Sequence, residues 1–462
     1  MEYISTRNNQ KIFTFKDIFL KGLADDGGLF IPKSVKPFSK EEIKNLKNLS
    51  YNDLAAEIIN PFIGDFMSKD DLISLISKSY SNFRTKNVVN INKLGNLKVL
   101  ELFHGPTLAF KDIAMQLIGN FYEYHLKFEQ KKINIVVATS GDTGAAAIDA
   151  LKGKKNLNVF VLHPNNRISP VQRKLMTTCE ASNVFNIAIQ GNFDDCQNLV
   201  KAMFNDEKFS KSINMSGVNS INWARIIAQA VYYFYAYFKV GNGQPLSFSV
   251  PTGNFGDIYA GYLAKKLGLP IDKLVVATNK NDILHRAISG GDYSQKKVME
   301  TNTPSMDIQV ASNFERLLFE MLDYDYNLVK DYMKNLREDG YFKIKSNKLI
   351  KYNKTFIGVS VDDNDTLNCM RNVYENYDLI IDPHTSVGIQ ATNYNNLKLD
   401  EPTIILSTAH AVKFSAAVQK AIGHKSDFSS IYKNLFDLKE NYTDLNNDLT
   451  NLKNYISDKI IN

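Results

Sequence analysis

Cysteine is scarce in this chain: Cys179, Cys196 and Cys369 are the only three in 462 residues. An odd, widely spaced set supplies neither a disulfide framework nor the paired cysteines of a zinc site, and it fits a reducing compartment. Long apolar runs are missing too. The N-terminal MEYISTRNNQKIFTF holds no stretch able to act as a secretion signal, and no segment approaches the length of a membrane span. The most apolar helix candidate, Trp223 to Phe238, is interrupted by Arg225 and Gln229 and reads as a buried core helix. A cytoplasmic protein with no membrane partner is expected. Blocks of one charge are also absent. The net charge of +6 is spread among residues of both signs, which argues against a nucleic-acid partner.

A chain this long exceeds a single core, so two or more lobes are expected. From Lys132 onward, short β-branched runs alternate with helical segments: INIVVAT, NVFVLHP and VFNIAIQ, then LSFSVP, LVVAT, DLIID and TIILSTA. That rhythm predicts an α/β fold of two open, mostly parallel-sheet lobes, over residues 91–245 and 246–428. An irregular stretch near 292–365, with a strand pair around GYFKIK and FIGVSV, reads as an insertion or cap. Residues 1–90 form a mainly helical N-terminal unit. Residues 429–462 form a tail that packs as a peripheral helix or two.

The chemistry begins in FHGPTLAFKD, Phe103 to Asp112. Lys111 follows a tight Gly105-Pro106 turn in apolar company. Desolvation favours its neutral amine, the form that condenses with an aldehyde, so it is either a Schiff-base lysine or the opening residue of an amphipathic helix.

Three glycine-bearing or polar turns follow strands, where open α/β sheets bind ligands. TSGDTG, Thr139 to Gly144, offers Ser140, Gly141 and Thr143 to a small anion such as a carboxylate, or is simply a capped turn. Asp142 must point away from that anion or cap the helix. PTGNFGD, Pro251 to Asp257, cradles a phosphate better than a dinucleotide, and its spacing is neither GxGxxG nor that of a P-loop. STAHAVKF, Ser407 to Phe414, places Thr408, His410 and Lys413 at a strand end. A neutral hydroxyl such as Thr408 suits a pyridine nitrogen, and Lys413 suits a second phosphate. In NSINWAR, Asn219, Ser220 and Arg225 can converge on one anion, and Arg225 in an apolar helix needs such a partner.

Taken in order, HGPTLAFKD, TSGDTGAA, NSINWARI, PTGNFGD and TAHAVKF resemble the threonine synthase family of pyridoxal-phosphate enzymes, within the tryptophan-synthase-β-like group of fold type II. LKGLADDGGLFIP and DPHTSVG resemble further pieces of it. The resemblance implies that pyridoxal 5'-phosphate lies between the lobes on Lys111, with Gly253, Asn254, Phe255, Gly256 and Asp257 at its phosphate and Thr408 at its ring nitrogen. Ser140 to Thr143 would take the substrate carboxylate. Asn219, Ser220, Arg225 and Lys413 would take the phosphate of O-phospho-L-homoserine. The implied activity is threonine synthesis by a monomer or small homo-oligomer. The alternative is another pyridoxal-phosphate lyase, such as a serine or threonine dehydratase or a phosphoamino-acid lyase.

Overall fold

The computed structural model describes residues 1–462 apart from 130, 140, 167, 395, 396, 398, 400, 401, 428–430 and 462, with residue 461 described by its backbone alone. The βαβ rhythm resolves into two sheets. The smaller runs, in spatial order, Thr443–Asn446, Val184–Gln190, Leu157–Pro164, Ile133–Ala138 and Met215–Ser216, all parallel. The larger runs Phe356–Ser360, Ile271–Thr278, Leu246–Pro251, Thr403–Ser407, Leu97–Glu101 and Asn90–Leu94, parallel except for its last pair. Central strands such as Leu246–Pro251 are buried throughout, as a parallel sheet covered on both faces requires.

Helix Trp223–Val240 is the core helix its sequence implies, buried from Trp223 through Tyr237. It packs on Tyr51–Ile63 of the N-terminal unit, on Lys111–Leu126 and on Gly256–Lys266, and so ties the N-terminal unit to helices from both lobes. The N-terminal helices begin where their caps predict: Thr14, Ser39, Ser50 and Ser68 each accept a backbone N–H of the first turn. That unit also carries an antiparallel sheet of Tyr3–Ser5, Asn8–Phe13 and Phe30–Pro32, a feature the helical reading omitted.

Two strand expectations need correction. DLIID forms no strand. Asp382 instead caps helix Pro383–Thr392, accepting from His384 N at 2.9 Å, with proline at the first helical position. GYFKIK and FIGVSV do not pair with each other: Tyr341–Lys343 pairs antiparallel with Asp292–Ser294, and Phe356–Ser360 extends the larger sheet beside Ile271–Thr278. Parallel pairing joins segments far apart in the chain, which a local pattern cannot register. The hairpin Asn90–Glu101 likewise lies in the larger sheet. The tail adds the edge strand Thr443–Asn446 to the smaller sheet before its helix Leu449–Ile461. Among the described residues, no helix is long and apolar enough to cross a membrane.

Candidate active site

Local hydrogen bonds hold Lys111 at a defined place. Thr107 donates its N–H and hydroxyl to Asp112 at 2.8 and 2.6 Å, closing the turn, while Leu108 adopts a left-handed φ of 59°. Gly105 packs directly on the Asp112 side chain and leaves no room for a Cβ. Ala109 bridges Ala409, and Phe110 N donates to Thr408 O at 2.8 Å, so the turn is fastened to the end of strand Thr403–Ser407. Helix Lys111–Leu126 begins there without a side-chain cap. Burial pushes the Lys111 amine below its ordinary value; Asp142 opposes that shift, and Lys413 and Arg225 add to it.

Asp142 answers part of the question left open by its charge. Its Oδ2 lies 3.3 Å from Lys111 Nζ, and its Oδ1 lies 2.6 Å from Lys413 Nζ and 2.8 Å from Gln172 Nε2. Burial alone would raise its pKa, but Lys413 and Lys111 outweigh burial and hold the carboxyl far below the usual carboxylate range. The amides of Gly141 and Gly144 both donate to Thr139 Oγ1 at 2.9 Å, which turns them into the loop. Thr143 lines the pocket. Ser140 lies outside the described residues.

The second turn meets the requirements of an anion cradle. Phe255 has φ 64°, a left-handed conformation unusual for a bulky residue, and its ring is held between Phe314 and Phe356 at 5.3 and 5.9 Å. Helix Gly256–Lys266 starts with no side-chain cap, which leaves first-turn N–H groups to a ligand. A Cβ on Gly253 would stand 3.0 Å from Ser305 O, so the approach is tight. Asp257 turns to Tyr232 and Tyr233, whose hydroxyls donate to its Oδ1; burial raises its pKa to about 6, opposed by those two bonds.

Arg225 is 2 % exposed; its Nη1 reaches Val218 O at 3.4 Å, and its Nε has no partner among the described residues. Burial lowers its pKa to about 10. One cavity brings together Lys111, Asp142, Thr143, Ser220, Arg225, Gly253 to Asp257 and Thr408. Gly141, Asn219 and Lys413 do not line it. Lys413 is buried and donates to Thr107 O at 2.8 Å as well as to Asp142. His410 caps its own turn, accepting from Val412 N at 3.2 Å.

Sequence reasoning missed Asn313, which lies in the irregular stretch. Its side-chain amide donates to Ser220 O at 3.3 Å and Asn254 O at 3.1 Å, joining the two proposed phosphate sites, and Arg316 donates to its Oδ1. His384, in DPHTSVG, was also missed: it lines the pocket, with Nδ1 2.9 Å from Asp382 Oδ1. Neither stood out locally, because Asn313 in QVASNFERL and His384 in DPHTSVG sit among other polar residues.

The chain matches three family models: "Threonine synthase N terminus" over residues 2–80, "Pyridoxal-phosphate dependent enzyme" over 92–408 and "Threonine synthase, C-terminal" over 385–456. It is 43% identical to a threonine synthase of Pseudomonas aeruginosa, covering 99% of this chain and 98% of that one. The pyridoxal-phosphate-bound threonine synthase of Brucella melitensis superposes with a TM-score of 0.95 at 43% identity, over 99% of each chain. The yeast threonine synthase structure gives 0.93 at 40% identity, over 100% of this chain and 99% of its own.

Proposed function

This chain belongs to the threonine synthase family, and from that premise we propose how its residues divide the work. The chain is a pyridoxal-phosphate-dependent threonine synthase, which converts O-phospho-L-homoserine and water to L-threonine and phosphate by β,γ-replacement.

The pocket suits the cofactor on its own chemistry: a partly desolvated amine at Lys111, an uncapped helix start at Gly256 and a hydroxyl at Thr408. When bound, pyridoxal phosphate supplies the electron sink that makes the substrate's α and β protons removable. Lys111 would carry it, and its free amine would take and return the α-carbon proton. The amides of Gly253, Asn254, Phe255 and Gly256 would hold its phosphate, with Asp257 beside them, and Thr408 would offer a neutral hydroxyl to its ring nitrogen. Thr143, with Ser140, receives the substrate carboxylate, while the Gly141 amide is spent on Thr139 Oγ1. Ser220 and Arg225, which line the cavity, receive the substrate phosphate, whereas Lys413 is engaged by Asp142 and Thr107 O instead. A neutral partner at the ring nitrogen tempers charge build-up at the α carbon and favours replacement over transamination.

One observation carries the substrate reading: Arg225, buried and incompletely paired, lines the same cavity as Lys111. A dianionic phosphate satisfies it. A serine or threonine dehydratase would have no use for that second anion site. Visible spectra before and after addition of O-phospho-L-homoserine, with released phosphate measured alongside, test the assignment. Deamination of threonine without phosphate release from O-phospho-L-homoserine would overturn it. The three free cysteines support a cytoplasmic setting.

A further inference from the structure

A carboxylate in the loop proposed to receive a substrate carboxylate is out of place unless cations claim it. Asp142 is 5 % exposed, and both its oxygens are claimed: Oδ1 by Lys413 Nζ at 2.6 Å and Gln172 Nε2 at 2.8 Å, Oδ2 by Lys111 Nζ at 3.3 Å. The two lysines are not equivalent. Lys413 is also held by Thr107 O at 2.8 Å and has no exposed side-chain surface, so it is a fixed counterion. Lys111 retains 15 % side-chain exposure, lines the cavity and makes the longer contact, so it is free to leave.

We propose that Asp142 is a positioning residue for Lys111: its Oδ2 docks the Lys111 ammonium whenever that side chain is not joined to the cofactor, while Lys413 keeps Oδ1 occupied. The inference rests on the reading that Lys111 carries pyridoxal phosphate. The proton balance is simple. The neutral Lys111 amine takes the α proton of the substrate and becomes an ammonium; Asp142 stays ionised throughout and shares that proton only as a hydrogen bond. The ammonium then gives the proton back when the carbon skeleton is reprotonated, and Lys111 returns to the neutral amine that releases product. Without Asp142, the ammonium would stand in a buried site beside Lys413 and Arg225 with no opposing charge, a costly arrangement.

The test separates this role from simple neutralisation of Lys413. In full-length protein stripped of cofactor, acylation of Lys111 by a small anhydride is followed by peptide mass spectrometry. Asp142→Asn should acylate about tenfold faster at mildly alkaline pH, the equivalent of one pK unit. Lys413→Met should acylate more slowly, and Asp142→Glu should restore the wild-type rate. Unchanged rates in all three would overturn the proposal. With cofactor bound, the double variant Asp142→Asn with Lys413→Met removes both buried charges together. It should bind pyridoxal phosphate and fold as the wild type does, with KM little changed and kcat reduced about a hundredfold, within the range of assisted proton transfer. Full recovery of kcat in the double variant would show neutralisation of Lys413 to be the only role of Asp142. Absence of any Lys111-dependent visible band in the wild-type protein would instead sink the underlying reading of the pocket.

Discussion

Lys413 Nζ lies 2.6 Å from Asp142 Oδ1, joining the loop after one strand of the smaller sheet to the turn after one strand of the larger. The same ammonium reaches Thr107 O at 2.8 Å, in the turn that delivers Lys111. Three segments distant in sequence therefore meet through one buried cation. Its place also explains why Lys413 stands apart from the cavity in which Ser220 and Arg225 lie.

That buried pair makes a stability prediction. Lys413→Met strands Asp142 with less compensation and should cost about 3–5 kcal/mol, the usual penalty for breaking a buried ion pair. Adding Asp142→Asn should restore most of it. Urea unfolding of the two single variants and the double variant gives the coupling directly.

Lys111→Ala should abolish the visible absorption of lysine-bound cofactor and lower turnover by about 10²–10⁴-fold or more, the contribution of proton transfer alone. Threonine formation at near-normal rate in this variant would refute the role given to Lys111. Absorption spectroscopy and a coupled threonine assay check both parts.

Arg225→Ala should raise KM for O-phospho-L-homoserine by roughly 30- to 150-fold, matching the loss of about 2–3 kcal/mol from a charge-assisted hydrogen bond. Affinity for pyridoxal phosphate should change far less. Steady-state kinetics beside a cofactor titration distinguishes the two, and an unchanged KM would count against the phosphate site.

Asp257 gives the protein a pH-dependent weakness. Burial raises its folded pKa to about 6, above the ordinary value of 3.8, so the folded state holds its proton more tightly than the unfolded chain does. The stability this group contributes is present at acid pH and falls as pH rises from about 4 to 6. Asp257→Asn keeps an acceptor for Tyr232 and Tyr233 and removes the buried charge. It should raise Tm of the cofactor-free protein at pH 7.5 and flatten the change in Tm between pH 4 and 6, as differential scanning calorimetry would record. A Tm lower than wild type at pH 7.5 would contradict this account.

Local residue chemistry accounts for the short-range pieces. The Lys111 turn closes through Thr107 and Asp112, five residues apart; the helix at Gly256 starts at an adjacent left-handed Phe255; and the N-terminal helices start at their own serine and threonine caps. Each depends on neighbours within one or two turns, which is the range over which residue pattern dictates conformation. The long-range placements came from packing of whole elements. It moved Phe356–Ser360 to a sheet edge, built a strand from Thr443–Asn446, set Asn313 between Ser220 and Asn254, and turned Lys413 toward Asp142. Parallel ladders and buried ion pairs join residues tens to hundreds of positions apart. Their partners are chosen by the packing of whole elements, and no local pattern records that choice.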